Sequence, residues 1–172
     1  MTMLQFDQFD TPKGRLTLVK SNKGICFVGL PSANLASVEK WASKYYQGEQ
    51  LVQNSAALED AKIELIDYMA GRRQDFSIPL DHRNTSFAQT ALQKVAEIGY
   101  GKTATYGMIA HQLGKPRSAR AVGRAAATNP LPLIIPCHRV VGSDGSLTGY
   151  GGGLPLKKAL LDMERSQTQA PG

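Results

Sequence analysis

The chain has 172 residues, 42% hydrophobic and 20% charged, with a formal net charge of +6, a composition suited to one soluble core or two small ones. No uninterrupted apolar run reaches the roughly 18 residues of a membrane span, and MTMLQFDQFD carries acids where a secretory leader would be basic and then apolar. The expectation is a cytoplasmic chain with no membrane partner, with Cys26 and Cys137 as free thiols, and with no metal, because two cysteines and three histidines show no ligand spacing.

Residues 1–83 read as a small α/β unit. RLTLVK and ICFVGL are β-rich runs joined by SNKG, with MLQF as a third strand, so a small antiparallel sheet is expected. In ANLASVEKWASKYY, Leu35, Val38, Trp41 and Tyr45 fall near one helical face. ALEDAKIELIDYMAG repeats that spacing with Leu58, Ala61, Leu65 and Tyr68, and Gly71 stands where a helix would be capped. Ten basic residues match ten acidic ones here, and no constellation points to catalysis. An irregular connection, RRQDFSIPLDHRNT, places the domain boundary near Asn84.

Residues 84–172 hold the whole positive excess, with ten Lys/Arg against four Asp/Glu. Between Glu97 and Asp144 lie 46 residues without an acid, among them Lys102, Lys115, Arg117, Arg120, Arg124 and Arg139. Such a run suits a polyanion, most simply nucleic acid. SFAQTALQKVAEI opens with Ser86 and Gln89 in capping-box register and ends at Gly99. A short helix in TYGMIAHQLG, the turn KPRS and a third helix in ARAVGRAAATN then outline a helix-turn-helix. At about 100° per residue, Arg120, Gly123, Arg124 and Ala127 share one sector of that third helix, with Val122 and Ala126 roughly opposite. This thin cationic face suits approach to a minor groove rather than the reading of base edges by long side chains, and it equally suits a small helix packed between neighbours with its arginines solvated.

The stretch LIIPCHRVV carries Cys137 between apolar runs that read as buried strand. Pro136 lacks an amide donor and ends the strand, presenting Cys137 at a turn. His138 and Arg139 add proton-handling capacity and positive charge, which favour the nucleophilic thiolate. On a regular strand His138 would point away from the thiol, so a bend is required before the two can cooperate.

IPCHRVV, with ARAVGRAAATNPLP before it and GSLTGYGGGLPLKKALLDME after it, resembles the O6-alkylguanine-DNA alkyltransferases from about Phe87 to Glu164. The resemblance implies a ribonuclease-H-like N-terminal α/β domain over 1–83 and a winged-helix-like helical domain with a helix-turn-helix over 84–172. It implies a monomer that acts on double-stranded DNA, flips the alkylated guanine from the minor-groove side and takes the alkyl group irreversibly onto Cys137, with no cofactor. His138 is similar in position to the family's base, Glu164 to the carboxylate that orients it, and Asn129 to the asparagine tying the recognition helix to the active-site turn. The same correspondence implies DNA contacts from Tyr106, Arg120, Gly123, Arg124 and Ala127, and a substrate pocket including Pro132, Arg139, Tyr150 and Gly151. Glu164 is expected to flank a helical stripe of Leu156, Leu160 and Met163. Gly151 stands where some relatives carry a hydroxyl donor. The implied site of action is the cytoplasm, at the nucleoid if the cell is prokaryotic. Between guanine and O4-alkylthymine lesions the sequence does not choose. Two rivals remain at this point, a lesion sensor without transfer and a thiol hydrolase.

Overall fold

A computed structural model describes residues 3–169. The chain forms two compact units, Met1–Arg83 and Asn84–Gly172.

In the first unit, β1 (Met3–Thr11), β2 (Gly14–Lys20), β3 (Ile25–Gly29) and β4 (Gln50–Gln53) form a sheet in the order β3-β2-β1-β4. β1 and β2 are antiparallel with Thr11 opposite Gly14, and Gly14 takes a φ of 116° at the tight reversal. That conformation is open to glycine and costly for residues with a Cβ. The sheet is mixed rather than wholly antiparallel, because β4 runs parallel to β1. QLVQ is too short and too polar to announce itself as a strand, and its pairing comes from β1 alongside it. A parallel neighbour needs a crossover, which α1 (Leu35–Tyr45) supplies. Asn34 caps that helix by accepting from the Ser37 amide.

Leu4, Val19, Cys26, Val38, Ala42 and Tyr46 form a buried cluster, with Phe27 and Trp41 packed against it. Leu35, placed on this face by its spacing, is 38% exposed at the helix start. α2 (Glu59–Met69) packs on β1 and buries Ala61, Leu65 and Tyr68. A buried ion pair between Lys62 and Asp7, 2.8 Å, joins the two elements.

The second unit begins with α3 (Ser86–Ala96), followed by β5 (Ala104–Thr105), α4 (Tyr106–Gln112) and α5 (Ala119–Ala127). The N-cap of α3 is Thr85, which accepts from the Ala88 amide, one residue before the expected Ser86. Thr105 caps α4 in the same way, accepting from Met108. Gly114 closes α4 with a φ of 71°. The three helices pack on one another, and α5 fits closely because the contact is built from Ala88, Ala91 and Ala125. Val122 and Ala125 are its buried residues, while Arg120, Arg124 and Ala127 are exposed. This is a helix-turn-helix with its cationic side in solvent.

A two-stranded parallel pair joins β5 to β6 (Val140–Val141), with Ala104 opposite Val140. β5 runs directly into α4, and β6 directly follows a 3-10 turn at Cys137–Arg139. The pair thereby couples the start of the helix-turn-helix to the residues around the thiol. The unit ends with α6 (Leu154–Gln169). Among the described residues no helix is long and apolar enough to cross a membrane.

Candidate active site

The segment leading to Cys137 is a turn, not the strand expected from LII. Leu133 adopts a φ of 73° while nearly fully buried. A non-glycine residue in that region costs on the order of 1–3 kcal/mol and persists only where its surroundings over-determine it. Asn129 supplies much of that determination. Its Oδ1 accepts from the Leu131 amide at 2.9 Å, and its Nδ2 donates to the Ile135 carbonyl at 3.0 Å. The Ile135 amide returns to the Leu131 carbonyl at 2.8 Å. One side chain thus holds both ends of the loop between α5 and the thiol. Pro136 then directs the chain into a single 3-10 turn carrying Cys137, His138 and Arg139, all buried. This is the bend that the Pro-Cys-His order required.

His138 Nε2 lies 2.8 Å from Glu164 Oε2. Arg139 grips the same carboxylate with two N–H groups, Nε to Oε1 at 2.8 Å and Nη2 to Oε2 at 2.9 Å. The Gly101 amide donates to Oε1 as well, at 3.2 Å. A carboxylate so surrounded stays ionised and can only accept, so the Nε2 of His138 carries the hydrogen. Burial holds the imidazolium form down more strongly than Glu164 raises it, and the charge of Arg139 acts in the same direction. The result is a neutral imidazole, Nε2–H toward glutamate, with the lone pair on Nδ1. That is the tautomer of a general base.

Arg139 is not among the residues that line the cleft between α5 and the glycine-rich loop. Its third contact donates to the Ile98 carbonyl at 2.7 Å, and its guanidinium stands 5.5 Å from the centre of the Tyr100 ring. The expectation that it lines a substrate pocket is corrected: with Glu164 fully buried, Arg139 is the ion-pair partner behind His138.

Burial pushes the Cys137 thiol above its ordinary value, while the Asn129 side chain and the positive charge of Lys157 draw it down. Lys157 was not anticipated. Its side chain is fully buried, and its Nζ donates to the Val140 carbonyl at 2.7 Å and the Thr148 carbonyl at 2.9 Å. The expected stripe of Leu156, Leu160 and Met163 is rotated, for the buried face is Lys157, Leu160, Leu161 and Glu164. That is i, i+3, i+4, i+7, a helical period legible in LPLKKALLDME once a lysine is allowed on an apolar face.

Between α5 and the glycine-rich loop after β6 lies an open cleft of about 510 Å³, lined by Tyr106, Gly123, Ala127, Thr148, Gly149, Tyr150 and Gly151, a size common for small-molecule sites. Thr148 Oγ1 and Tyr106 Oη share a 3.0 Å hydrogen bond across it. Tyr150 meets His138 edge-on, with ring centres 6.5 Å apart. An added Cβ at Gly151 would meet nothing within 4 Å, so its lack of a side chain leaves room in the cleft wall. Pro132 is buried in the turn, pairs with Ile135, and is not among the residues lining the cleft. Among the described residues, no group of three or more His, Cys, Asp or Glu could hold a metal ion.

Residues 86–166 match the family described as 6-O-methylguanine DNA methyltransferase, DNA binding domain, and residues 4–82 match its ribonuclease-like domain. The inducible methylated-DNA–protein-cysteine methyltransferase of Bacillus subtilis is 40% identical over 143 residues, covering 83% of this chain and 80% of the relative. The Mycobacterium tuberculosis methylated-DNA–protein-cysteine methyltransferase is 39% identical over 170 residues, covering 98% and 96%. The crystal structure of the M. tuberculosis O6-methylguanine methyltransferase superposes with a TM-score of 0.82 at 37% identity, covering 99% of this chain and 97% of that one. A crystal structure of M. tuberculosis OGT in complex with DNA gives 0.81 at 37% identity, covering 95% and 94%. With both halves matched in order, and with relatives of this similarity spanning nearly its whole length, the chain belongs to the 6-O-methylguanine DNA methyltransferase family.

Proposed function

We propose that this protein repairs DNA by direct reversal, taking the alkyl group of O6-alkylguanine onto Cys137 in a single irreversible turnover. The observation that carries the reading is the Asn129-braced turn, which places Cys137 directly before the Glu164-held His138 in the same unit as the cationic face of α5.

In this reading the protein binds duplex DNA as a monomer through the face of α5 that bears Arg120, Gly123, Arg124 and Ala127. Small residues let the helix approach the minor groove closely, and arginine suits its potential. Arg120 enters the stack as the damaged base leaves, and Tyr106 meets the backbone beside it. The base rotates into the cleft walled by Tyr150 and Gly151, because an O6 substituent cannot meet a protein sulfur inside an intact duplex.

The chemistry then balances without a cofactor. The thiol proton passes through a water to Nδ1 of His138, whose developing charge Glu164 stabilises. Sulfur attacks the alkyl carbon, a carbon–sulfur bond forms and the carbon–O6 bond breaks. The purine takes one proton as it leaves, restoring guanine. A thioether does not dissociate, so one molecule repairs one lesion.

Incubation with a duplex containing O6-methylguanine, followed by intact-mass measurement, tests this. A gain of about 14 Da at Cys137, saturating at one methyl per molecule, is expected for capture by the thiolate. An unchanged mass with bound DNA would instead make the protein a lesion sensor. Sustained turnover on an ester or peptide with Cys137 unmodified would make it a thiol hydrolase.

A further inference from the structure

Lys157 is a buried cation with an unusual set of partners. Its Nζ contacts two neutral carbonyls, Val140 on β6 and Thr148 on the glycine-rich loop, and among the described residues no carboxylate pairs with it. A buried ammonium without a counter-ion is costly, and a lysine kept only for packing would be better replaced by methionine. The nearby Glu164 does not serve, since its oxygens are taken by Arg139, His138 and the Gly101 amide. Cys137 stands three residues before the Val140 carbonyl that Nζ contacts, in the turn that Val140 closes, and once ionised it is the group left to balance the charge. Burial is the largest influence on both groups, pushing the thiol up and Lys157 down; against it Asn129 and then Lys157 draw the thiol down, and the thiol raises Lys157.

The two carbonyls add a mechanical function. Val140 follows the turn that carries Cys137, and Thr148 sits on the cleft wall, so one ammonium holds the acceptor strand and the wall together. Thr148 is also tied through its hydroxyl to Tyr106 at the start of α4. A connected path therefore runs from β6 through Lys157 and Thr148 to the helix-turn-helix.

We infer that Lys157 is a positioning residue for alkyl transfer: its buried ammonium serves as counter-ion to the Cys137 thiolate while pinning the cleft wall to the strand that follows the thiol. This deepens, and rests on, the reading of Cys137 as the alkyl acceptor. The other titratable groups around the thiol do not duplicate the role. On its own turn, Arg139 is consumed by Glu164 and burial disfavours the charged form of His138; Tyr150, which senses the thiol, is pushed toward the neutral phenol by burial, as is Tyr100 beside Arg139 and Glu164.

The test separates this inference from the repair reading by titrating the thiol without DNA. Pulses of iodoacetamide across a pH series, followed by peptide mass mapping, give the midpoint for capture at Cys137. In Lys157→Met and Lys157→Gln the midpoint should rise by about one pH unit or more, with roughly tenfold slower capture near neutrality. Lys157→Arg should restore most of the loss. A purely structural lysine would alter melting temperature and leave the midpoint in place, and that result overturns the inference. Where the neutral variants do not fold, the reciprocal measurement uses Cys137→Ser. The ¹³Cε resonance of Lys157 should titrate at lower pH in that variant than in the parent, and an identical titration overturns the inference equally. If the parent takes no methyl from DNA while these midpoints move, the repair reading fails and the thiol–ammonium pair stands. If methyl transfer proceeds but no midpoint moves, the reverse holds.

Discussion

The chain's two thiols are both buried, and burial pushes both upward, yet the leading charge acting on each has opposite sign, Asp81 for Cys26 and Lys157 for Cys137. Cys26 lies inside the first unit's sheet and donates to the Val19 carbonyl at 3.5 Å, with Tyr46 and Asp81 close by. Burial dominates and the Asp81 carboxylate reinforces it, so that despite a hydrogen bond with Tyr46 and the charge of Arg83, which draw it down, the thiol is pushed up to about 12. Cys137 has Asn129 and the Lys157 ammonium instead, both favouring the thiolate, and it belongs to a turn held by a buried ion network. Depth in the core therefore does not make a cysteine inert. The charge facing the sulfur decides, and a thiol opposite an anion is a packing residue.

The sharpest way to break this comparison is to exchange each thiol for a hydroxyl. Cys137→Ser should lose methyl transfer from O6-methylguanine DNA to below detection while still binding duplex DNA. Cys26→Ser should transfer at the parental rate with a lower melting temperature, because a hydroxyl replaces sulfur in an apolar cluster. Intact mass after incubation reads both. A parental rate from the first variant, or a lost rate from the second, would reverse the assignment.

The next contrast concerns the two acids behind the thiols. Glu164 is fully buried and faces Arg139 in a two-point contact, so Glu164→Gln should cost about 3–5 kcal/mol by leaving a guanidinium buried without its partner. Asp81 accepts from Ser21 and Tyr46 at 2.7 Å each, with Arg83 3.9 Å away. Asp81→Asn keeps most of those bonds and should cost about 1–2 kcal/mol. Urea unfolding of the two variants ranks them, and a larger loss at Asp81 would mean that the first unit's network is the stronger one.

Charge separates the two units as well, since the second holds the entire +6. Arg120→Ala should slow transfer from duplex DNA by roughly tenfold or more and leave reaction with the free alkylated base nearly unchanged, because only the duplex requires extrusion. Arg124→Ala should weaken DNA binding across sequences and reduce the salt slope by about 1. Equal slowing of Arg120→Ala on duplex and free base would remove that arginine from extrusion.

What could be read in advance follows from the range of the forces involved. Local periodicity was enough for α1, α2 and the helix-turn-helix, because 3.6-residue spacing is written in consecutive residues. β4 was missed because its four residues form a strand only beside β1. LII looked like strand because apolarity is local, whereas the turn it adopts is dictated by Asn129 reaching forward to Ile135. Around the thiol, Cys137, His138 and Asn129 stand in one short motif. Arg139 reads from the motif as a pocket residue and Lys157 carries no signal of its own, because only the fold reveals the carboxylate and the carbonyls that let these cations be buried.

The smallest effect expected is on stability against pH, where both units take part. Burial holds His138 in the second unit and His82 in the first below their ordinary value of 6.5. Each unfolded histidine takes up its proton near 6.5, while the folded one stays neutral to lower pH. Between those points the unfolded state binds more protons, so stability is whole above about 6.5 and falls as pH drops through the window, by at most about 1.4 kcal/mol per pH unit per site. His138 is the more deeply buried, and the Arg139 charge beside it opposes protonation further, so its share should be the larger. Urea midpoints from pH 7.5 to 5 should fall in the parent, less in His82→Asn and least in His138→Asn. A slope unchanged by His138→Asn would mean that folding does not depress the proton affinity of this imidazole, and the case for a neutral base buried against Glu164 would go with it.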